Sequence, residues 1–164
     1  MTVYTTIDSP LGELLLAGTP SGGGVVLTTV SMSGAKAAVI RPDWIADRAA
    51  FTTVIEQLEA YFAGERTGFD LEMSSSGSEF QDQVWRALDE IPYGTTVTYG
   101  EIAARIGAPR AAIRAVGAAI GANPLLIVRP CHRVIGANGS LTGYAGGLPR
   151  KQQLLTLEHV LLAA

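Results

Sequence analysis

The chain contains 164 residues, of which 48% are hydrophobic and 16% are charged, and its formal net charge is −3. This composition predicts a globular protein of one large or two small domains and excludes an intrinsically disordered chain. The single cysteine, Cys131, excludes a disulfide framework and every metal or iron–sulfur site built from several cysteines. Taken over the whole chain, the acidic balance argues weakly against one long polyanion as a partner.

The N-terminal segment shows no targeting signal. Residues 1–10 (MTVYTTIDSP) lack the basic region and following apolar run of a signal peptide. No apolar stretch approaches the roughly 18–20 residues of a membrane-spanning helix. These features predict a cytoplasmic protein without a membrane partner, in a compartment where a lone thiol stays reduced.

The first half of the sequence predicts three short strands and one helix. Turn residues and a glycine-rich turn separate the predicted strands, which cover residues 3–7, 12–17 and 24–30. A helical stretch is predicted over 42–64, because its apolar residues recur every three or four positions. A further strand is predicted at 69–71.

The second half predicts a different kind of structure. A short amphipathic helix over 80–88 is followed by two short helices at 98–106 and 110–120. The tight turn between those two contains glycine and proline, which is typical of a helix-turn-helix. The remaining predicted elements are a small buried strand at 125–128, a short extended segment at 134–135, a glycine-rich hairpin region at 136–147 and an amphipathic helix at 150–162.

Charge is divided unevenly between these two halves. The serine-rich segment 74–78 is a linker candidate that separates predicted domains at 1–73 and 79–164. Residues 1–77 carry four basic and nine acidic side chains, whereas residues 78–164 carry eight basic and six acidic ones. The second half therefore has a net charge of +2, which fits either a mildly basic surface or a phosphate-facing patch.

The chemistry-bearing motif is Arg129-Pro130-Cys131-His132-Arg133. A thiol becomes a strong nucleophile as the thiolate, and nearby cations and a general base favour that form. Two arginines and an imidazole lie within two residues of Cys131, so we expect its pKa to be lowered. The alternative is a buried structural cysteine, which is a common role for a lone cysteine.

Glu158 is the acidic residue nearest to this motif in the C-terminal direction. No acidic residue lies between Glu101 and Glu158. Glu158 has two interpretations at this point: an ordinary helix glutamate, or a carboxylate that orients His132 across the fold.

The Cys131 motif is one of several motifs that occur in a fixed order in the second half of the chain. These are IPYG at 91–94, YGEIA at 99–103, RAVG at 114–117, NP at 123–124 and PCHRVI at 130–135, followed by Gly139, TGY at 142–144 and GG at 146–147. In this order they resemble the motifs of the O6-alkylguanine-DNA alkyltransferase family. The resemblance covers residues 78–160 strongly and the first half loosely.

This resemblance implies an α+β fold in two parts. The N-terminal domain would be a small ribonuclease-H-like β-sheet and helix domain. The C-terminal domain would be a winged helix-turn-helix that carries the cysteine. The implied activity is direct-reversal DNA repair, in which the alkyl group of O6-alkylguanine, with O4-alkylthymine as a further candidate, moves to Cys131 in one irreversible turnover.

The resemblance also assigns roles to catalytic residues, without a cofactor or metal. Cys131 is the expected nucleophile, and His132 is the expected base, acting through a bound water. Glu158 is expected to orient His132, Tyr99 to donate a proton toward N3 of the leaving guanine, and Asn123 to brace the turn beside the active-site loop.

The implied partner is double-stranded DNA, bound through the minor groove by a monomer, with cooperative binding along DNA left open. Base flipping is expected, because O6 of a paired guanine lies inside the duplex. Arg114 is expected to take the place of the flipped nucleotide. The other residues expected at the DNA are Arg110, Ala112, Ala115, Thr98 and Gly117, and those expected at the substrate pocket are Val134, Tyr144, Ala145, Gly146 and Arg133.

Three positions depart from the family pattern. Arg129 stands where an aliphatic residue is usual, so we expect an exposed chain segment or a contact of Arg129 with a phosphate or carboxylate. Ala145 stands where a serine is frequent. The spacing from Tyr99 to Arg114 is one residue longer than expected, which predicts an insertion in the turn at 109–113.

Two other functions remain open from the sequence. A helix-turn-helix regulator or damage sensor would explain the basic segment, and would make the Cys131–His132 pair incidental. A thiol hydrolase or transferase acting on a small substrate would explain Cys131, but not the helix-turn-helix or Arg114.

Overall fold

The computed structural model describes residues 1–34 and 36–160, which fold into two compact units, Met1–Ser75 and Ser76–Ala164. The division falls inside the serine-rich segment 74–78. Within the described part of the chain, every helix is too short or too polar to cross a membrane.

The first unit is built on a four-stranded sheet. Its strands are β1 (Val3–Ile7), β2 (Leu14–Ser21), β3 (Gly24–Met32) and β4 (Ile45–Ala46), in the order β3-β2-β1-β4. β1 and β3 pair antiparallel with β2, and β4 pairs parallel with β1. The β2–β3 register shifts at Gly18, where a Cβ would collide with the Val26 carbonyl. Glycine is therefore required at this bulge.

Helix α1 (Thr52–Phe62) begins ten residues later than the sequence predicts. The reason is that the main chain of 45–47 bonds to β1: Ile45 N donates to Thr2 O and Asp47 N donates to Tyr4 O. Asp47 then caps a single 3-10 turn that leads into α1. The predicted strand at 69–71 is also wrong, since Met73 makes the only described bridge there, to Leu27.

The second unit begins with α2 (Glu79–Asp89), where the sequence predicts an amphipathic helix. Ser78 and Gln81 form a capping box that fixes its start. The buried face includes Trp85, whose indole N–H donates to the Ala119 carbonyl at 2.9 Å. This bond fastens α2 to the helix that follows the helix-turn-helix turn.

The predicted helix-turn-helix is formed by α3 (Tyr99–Arg105) and α4 (Ile113–Gly121). A 3-10 turn, Arg110–Ala112, lies directly before α4, within the turn at 109–113 for which the sequence predicts an insertion. Two short strands, β5 (Val97–Thr98) and β6 (Val134–Ile135), pair in parallel beside these helices.

Residues 125–128 form a turn, so the predicted strand is wrong although the burial of these residues was predicted correctly. Arg129 N donates to Leu125 O, and Ile127 adopts a φ of 72° that a strand would not allow. Residues 136–147 form a loop without strand pairing rather than a hairpin. The last helix, α5, is Leu148–Leu157, and the predicted helical positions 161 and 162 lie outside the described residues.

Candidate active site

Cys131 lies on a 3-10 turn, Cys131–Arg133, that follows the turn at 125–128. The thiol is buried, with 4% of the residue exposed, and its main-chain N–H donates to Arg129 O at 2.8 Å. Ile127, four residues earlier, has a positive φ, which is a strained conformation for a β-branched residue. Such strain is held only where surrounding packing enforces it, and it lies beside the candidate nucleophile.

A buried charged network lies next to Cys131. His132 Nε2 is 2.8 Å from Glu158 Oε2, and both side chains are inaccessible to solvent. Arg133 donates to both oxygens of Glu158, at 2.7 Å from Nε and 3.0 Å from Nη2, and to Ile91 O at 2.6 Å. The structure thus gives Glu158 the orienting contact with His132, rather than the surroundings of an ordinary helix glutamate.

The hydrogen bond to Glu158 determines which ring nitrogen of His132 can accept a proton. Burial lowers the pKa of His132 and outweighs the opposing effect of Glu158, so the ring is neutral near pH 7. With Nε2–H donating to Glu158, Nδ1 carries the lone pair. Nδ1 is buried and has no hydrogen-bond partner among the described residues. The residue directly after Cys131 therefore carries a neutral imidazole with an available lone pair, which is the form a general base requires.

Asn123 braces the chain on the other side of the thiol. Its Nδ2 donates to Arg129 O at 3.1 Å and to Leu125 O at 3.4 Å, while Oδ1 accepts from Leu125 N at 3.0 Å. Asn123 also acts to lower the pKa of Cys131, although burial outweighs this effect. The Asn123 carboxamide therefore bonds main-chain atoms at both ends of the turn.

The expectation of a lowered pKa for Cys131 is wrong in its net direction. Burial raises the pKa of the thiol, and this effect exceeds the lowering by the Asn123 hydrogen bond and the charges of Lys151 and Arg129. Arg133, one of the two arginines on which that expectation rested, instead pairs with Glu158. Desolvation cannot be read from a five-residue motif, and this is the reason for the error.

Lys151 is a charged residue of this site that the sequence reasoning did not select. It is fully buried on α5, and its Nζ donates to Thr142 O at 2.7 Å and Gly143 O at 3.1 Å. Burial lowers its pKa to about 8. The available signal was its spacing: Lys151 shares an i, i+3, i+4, i+7 stripe with Leu154, Leu155 and Glu158, all of which are buried.

Tyr99 shares an acceptor with Lys151. The phenol donates to Thr142 O at 2.8 Å, and Lys151 Nζ lies 6.0 Å from the centre of the Tyr99 ring. A Cβ on Gly117 would lie 4.0 Å from the ring and one on Gly143 3.5 Å from its hydroxyl. The ring therefore lies between α4 and the 142–147 loop.

The predicted pocket residues are divided between two surroundings. Tyr144, Ala145 and Gly146 are half-buried in the 142–147 loop. Val134 is fully buried on β6, and the Arg133 guanidinium faces Glu158 and the Tyr93 ring, so neither has the exposure of a pocket wall.

The predicted DNA-contacting residues cluster around the start of α4. Arg110, Arg114 and Ala115 are exposed, and within the described chain neither arginine side chain has a hydrogen bond or ion pair. Ala112 and Gly117 are half-buried. The hydroxyl of Thr98 accepts from Glu101 N at 3.1 Å, so it caps α3.

Arg129 reaches a carboxylate, which was one of the two expectations for it. Its Nε donates to Asp89 Oδ1 at 3.2 Å, and its guanidinium lies 5.3 Å from the centre of the Trp85 ring. No group of three His, Cys, Asp or Glu side chains in residues 1–34 and 36–160 is arranged to hold a metal ion.

Two family models match the chain, one for each unit. The 6-O-methylguanine DNA methyltransferase ribonuclease-like domain matches residues 2–74, and the DNA-binding domain of the same family matches residues 79–160. A methylated-DNA–protein-cysteine methyltransferase of Mycolicibacterium paratuberculosis is 58% identical over 97% of this chain and 93% of its own length. One of Methanosarcina acetivorans is 52% identical over 94% of this chain and 97% of its own length.

Solved structures of proteins from this family are also similar to the chain. The crystal structure of Mycobacterium tuberculosis OGT in complex with DNA has a TM-score of 0.85 and 54% identity, covering 95% of this chain and 92% of that one. The O6-methylguanine-DNA methyltransferase of Pyrococcus kodakaraensis has a TM-score of 0.66 at 21% identity, covering 98% and 100%. The second likeness supports the α+β fold alone.

Proposed function

Because the chain belongs to the 6-O-methylguanine DNA methyltransferase family, we propose that it repairs O6-alkylguanine in DNA by taking the alkyl group onto Cys131. The observation that carries this proposal is the buried His132–Glu158–Arg133 network directly after the thiol. The relatives are named for transfer from methylated DNA to a protein cysteine, and one was solved with DNA bound. A helix-turn-helix sensor without this chemistry leaves the network unexplained.

The thiol proton leaves through His132. Nδ1 of the neutral imidazole accepts it by way of a water molecule, and the imidazolium that forms is stabilised by Glu158 at 2.8 Å. Arg133 keeps Glu158 ionised and oriented. Lys151 adds a buried positive charge that favours the thiolate. The charge of Lys151 opposes, without cancelling, the burial that raises the pKa of Cys131, and the base at His132 removes the thiol proton when substrate is bound.

Transfer is a single displacement. The thiolate sulfur attacks the alkyl carbon, a C–S bond forms, and the bond from that carbon to O6 breaks. The electron pair stays on the guanine, which takes a proton at N3 from the Tyr99 phenol. Tyr99 regains a proton from solvent and the His132 imidazolium releases one to solvent, so the proton lost by the thiol balances the one gained by guanine. The thioether is stable, and the protein therefore acts once.

DNA binding by the helix-turn-helix brings the substrate to Cys131. O6 of a paired guanine cannot be reached in the duplex, so the nucleotide must leave the stack. Arg114, exposed at the start of α4, fills the gap, and Arg110 contacts the phosphate backbone. The small residues Ala112, Ala115 and Gly117 allow α4 to approach a narrow minor groove.

The protein acts as a monomer, because one chain supplies every proposed catalytic group. A reduced thiol is required, which supports a cytoplasmic location. Titration of a long duplex tests this assignment: non-cooperative binding supports a monomer, and a sigmoidal isotherm identifies cooperative binding.

The deciding experiment is stoichiometric. We expect the protein, mixed with a duplex containing one O6-methylguanine, to gain the mass of one methylene group on Cys131, restore guanine and then become inert. Cys131→Ala should bind the duplex and gain no mass. Binding by the unmodified protein without a mass gain would identify a sensor, and sustained hydrolysis of a thioester would identify a thiol hydrolase.

A further inference from the structure

Ile113 is a large apolar side chain that the fold leaves in contact with solvent. It is the first residue of α4, and 41% of the residue is exposed. Val116 and Ile120 follow it by three and seven positions, so Ile113 belongs to the apolar stripe of this helix. Both of those residues are buried, whereas Ile113 is not. The stripe therefore extends one turn beyond the core of the second unit.

The surroundings of Ile113 are cationic. Arg110 lies three residues before it and Arg114 directly after it, and both arginines are exposed without a hydrogen bond or ion pair from their side chains in the described chain. An apolar side chain between two such cations matches a partner that offers phosphates and apolar surface together. A DNA duplex with an opened base stack offers both, because its backbone is anionic and its uncovered base faces are apolar.

Ile113 also lies toward the candidate active site. It precedes Gly117 by four residues, so both positions lie on the same side of α4. A Cβ on Gly117 would lie 4.0 Å from the Tyr99 ring, which places this side of the helix next to Tyr99. Arg114 is about 100° further around the helix. Ile113 is therefore adjacent both to the side facing Tyr99 and to the residue proposed to fill the gap in the DNA.

Flipping a nucleotide creates a need that Arg114 alone does not meet. When the nucleotide leaves the stack, the faces of the neighbouring base pairs are uncovered, and their exposure to water opposes the opening. Proteins that open the minor groove reduce this cost by inserting apolar side chains, isoleucine among them, at the opened step. Ile113 has the chemistry and the position for this contact.

We propose that Ile113 is an intercalating residue, which enters the base stack beside Arg114 and covers the face of a base pair next to the flipped nucleotide. This inference rests on the proposed function, which it deepens. It assigns a role to a residue within the turn at 109–113, where this chain is one residue longer than the family pattern.

The first test compares two substrates of the same chemistry. Ile113→Ala keeps the helix, since alanine is the best helix former and the replaced side chain is exposed. We expect single-turnover transfer from a duplex containing O6-methylguanine to slow by about tenfold, and transfer from free O6-benzylguanine to keep its rate. Ile113→Leu, which retains an apolar side chain that can intercalate, should repair the duplex at close to the unmodified rate.

Ile40→Ala is the matched control. It removes the same side chain at a similar exposure, 43%, from the first unit, and should leave both rates unchanged. Affinity for an undamaged duplex should change by less than about twofold in Ile113→Ala, because an intact stack has no opened step for the side chain to enter.

The second test weakens the base stack in advance. A duplex with a mismatch on each side of the O6-methylguanine needs less energy to release the nucleotide. The loss caused by Ile113→Ala should therefore fall from about tenfold on the fully paired duplex to less than about twofold on the mismatched one. A side chain that only supports the fold of α4 would cause the same loss on both.

Equal losses on the paired and mismatched duplexes, or an unchanged rate on the paired duplex, would overturn the proposal. A change in the cooperativity of DNA binding with an unchanged transfer rate would also overturn it, and would identify a second copy of the chain as the partner of Ile113. Each of these outcomes requires an active unmodified protein. Failure of the unmodified protein to gain mass from either substrate would instead overturn the proposed function.

Discussion

Replacing Lys151 with methionine should separate the stability of the second unit from the reactivity of its thiol. Lys151 is fully buried, and burial lowers its pKa from 10.5 to about 8. At about 1.4 kcal/mol per pKa unit, holding the charged form there costs about 3 kcal/mol relative to water. Methionine has a similar length and no charge, so it removes this cost.

The substitution also removes two hydrogen bonds. The carbonyls of Thr142 and Gly143 lose the ammonium that donates to them, but both residues are exposed, so water can replace the donor. We therefore expect Lys151→Met to match or exceed the unmodified protein in free energy of unfolding at pH 7, measured by urea denaturation.

The dependence of stability on pH provides a second readout. The pKa of Lys151 is lower in the folded than in the unfolded state, so between about pH 8 and 10.5 the unfolded chain binds more protons. The contribution of Lys151 to stability therefore improves as pH rises through this window. Lys151→Met should lack this gain, whereas Arg105→Met, which removes an exposed cation, should retain it.

Reactivity should change in the opposite direction. Without Lys151 the thiolate of Cys131 loses a favourable charge, and the Thr142 carbonyl that accepts from Tyr99 loses its second donor. We expect a roughly tenfold slower single-turnover transfer from free O6-benzylguanine at pH 7. A variant less stable by more than about 2 kcal/mol, or one with an unchanged transfer rate, would refute this reasoning.

Three further predictions concern the same machinery. Glu158→Gln should slow transfer by about a hundredfold and destabilise the fold by about 3–5 kcal/mol, because Arg133 is left buried without a counter-ion; single-turnover kinetics and urea unfolding measure the two effects. Arg114→Ala should slow repair of duplex DNA more than repair of a single strand that carries the same base. The control Arg105→Ala should slow repair of both substrates equally or of neither. An equal fall in repair rate on both substrates for Arg114→Ala would contradict base flipping. The rate of iodoacetamide addition should still be rising at pH 8, because burial raises the pKa of Cys131; a plateau below pH 7 would show a lowered pKa.

Elements with local determinants were predictable from the sequence. Helix α2 starts at a capping box that is visible as Ser78 and Gln81, and its apolar spacing gives one buried face. Strand β1 was predicted with its correct bounds. The helix-turn-helix was predicted because glycine and proline separate two short periodic segments. In each of these cases the information lies within about ten residues.

Elements that depend on distant partners were not predictable. Residues 45–46 leave the predicted helix because they pair with β1, some forty positions earlier in the sequence. Residues 125–128 are apolar and buried, and this pattern does not distinguish a strand from a turn. The positive φ of Ile127 is imposed by its surroundings and has no signature in a β-branched residue.

The site shows the same division between local and distant information. Adjacent residues such as Cys131 and His132 were predicted together from one motif. Glu158 was left open between an ordinary helix glutamate and a partner of His132, and the family resemblance favoured the second. The partner of Arg129 was left open between a phosphate and a carboxylate. Lys151 was not selected at all. Its hydrogen-bond partners are main-chain carbonyls of the 142–147 loop, and main-chain atoms do not identify themselves in a sequence.

The raised pKa of Cys131 is consistent with a protein that acts once. A thiol that is predominantly protonated and 4% exposed reacts slowly with dissolved oxidants and electrophiles, since both attack the thiolate. A low pKa would allow such reactions to consume the only cysteine before damaged DNA is met. In the proposed reaction, the base at His132 Nδ1 and the charge of Lys151 supply thiolate when an alkyl carbon lies against the sulfur. Burial and activation therefore serve the same requirement, which is that Cys131 be consumed by its substrate and by little else.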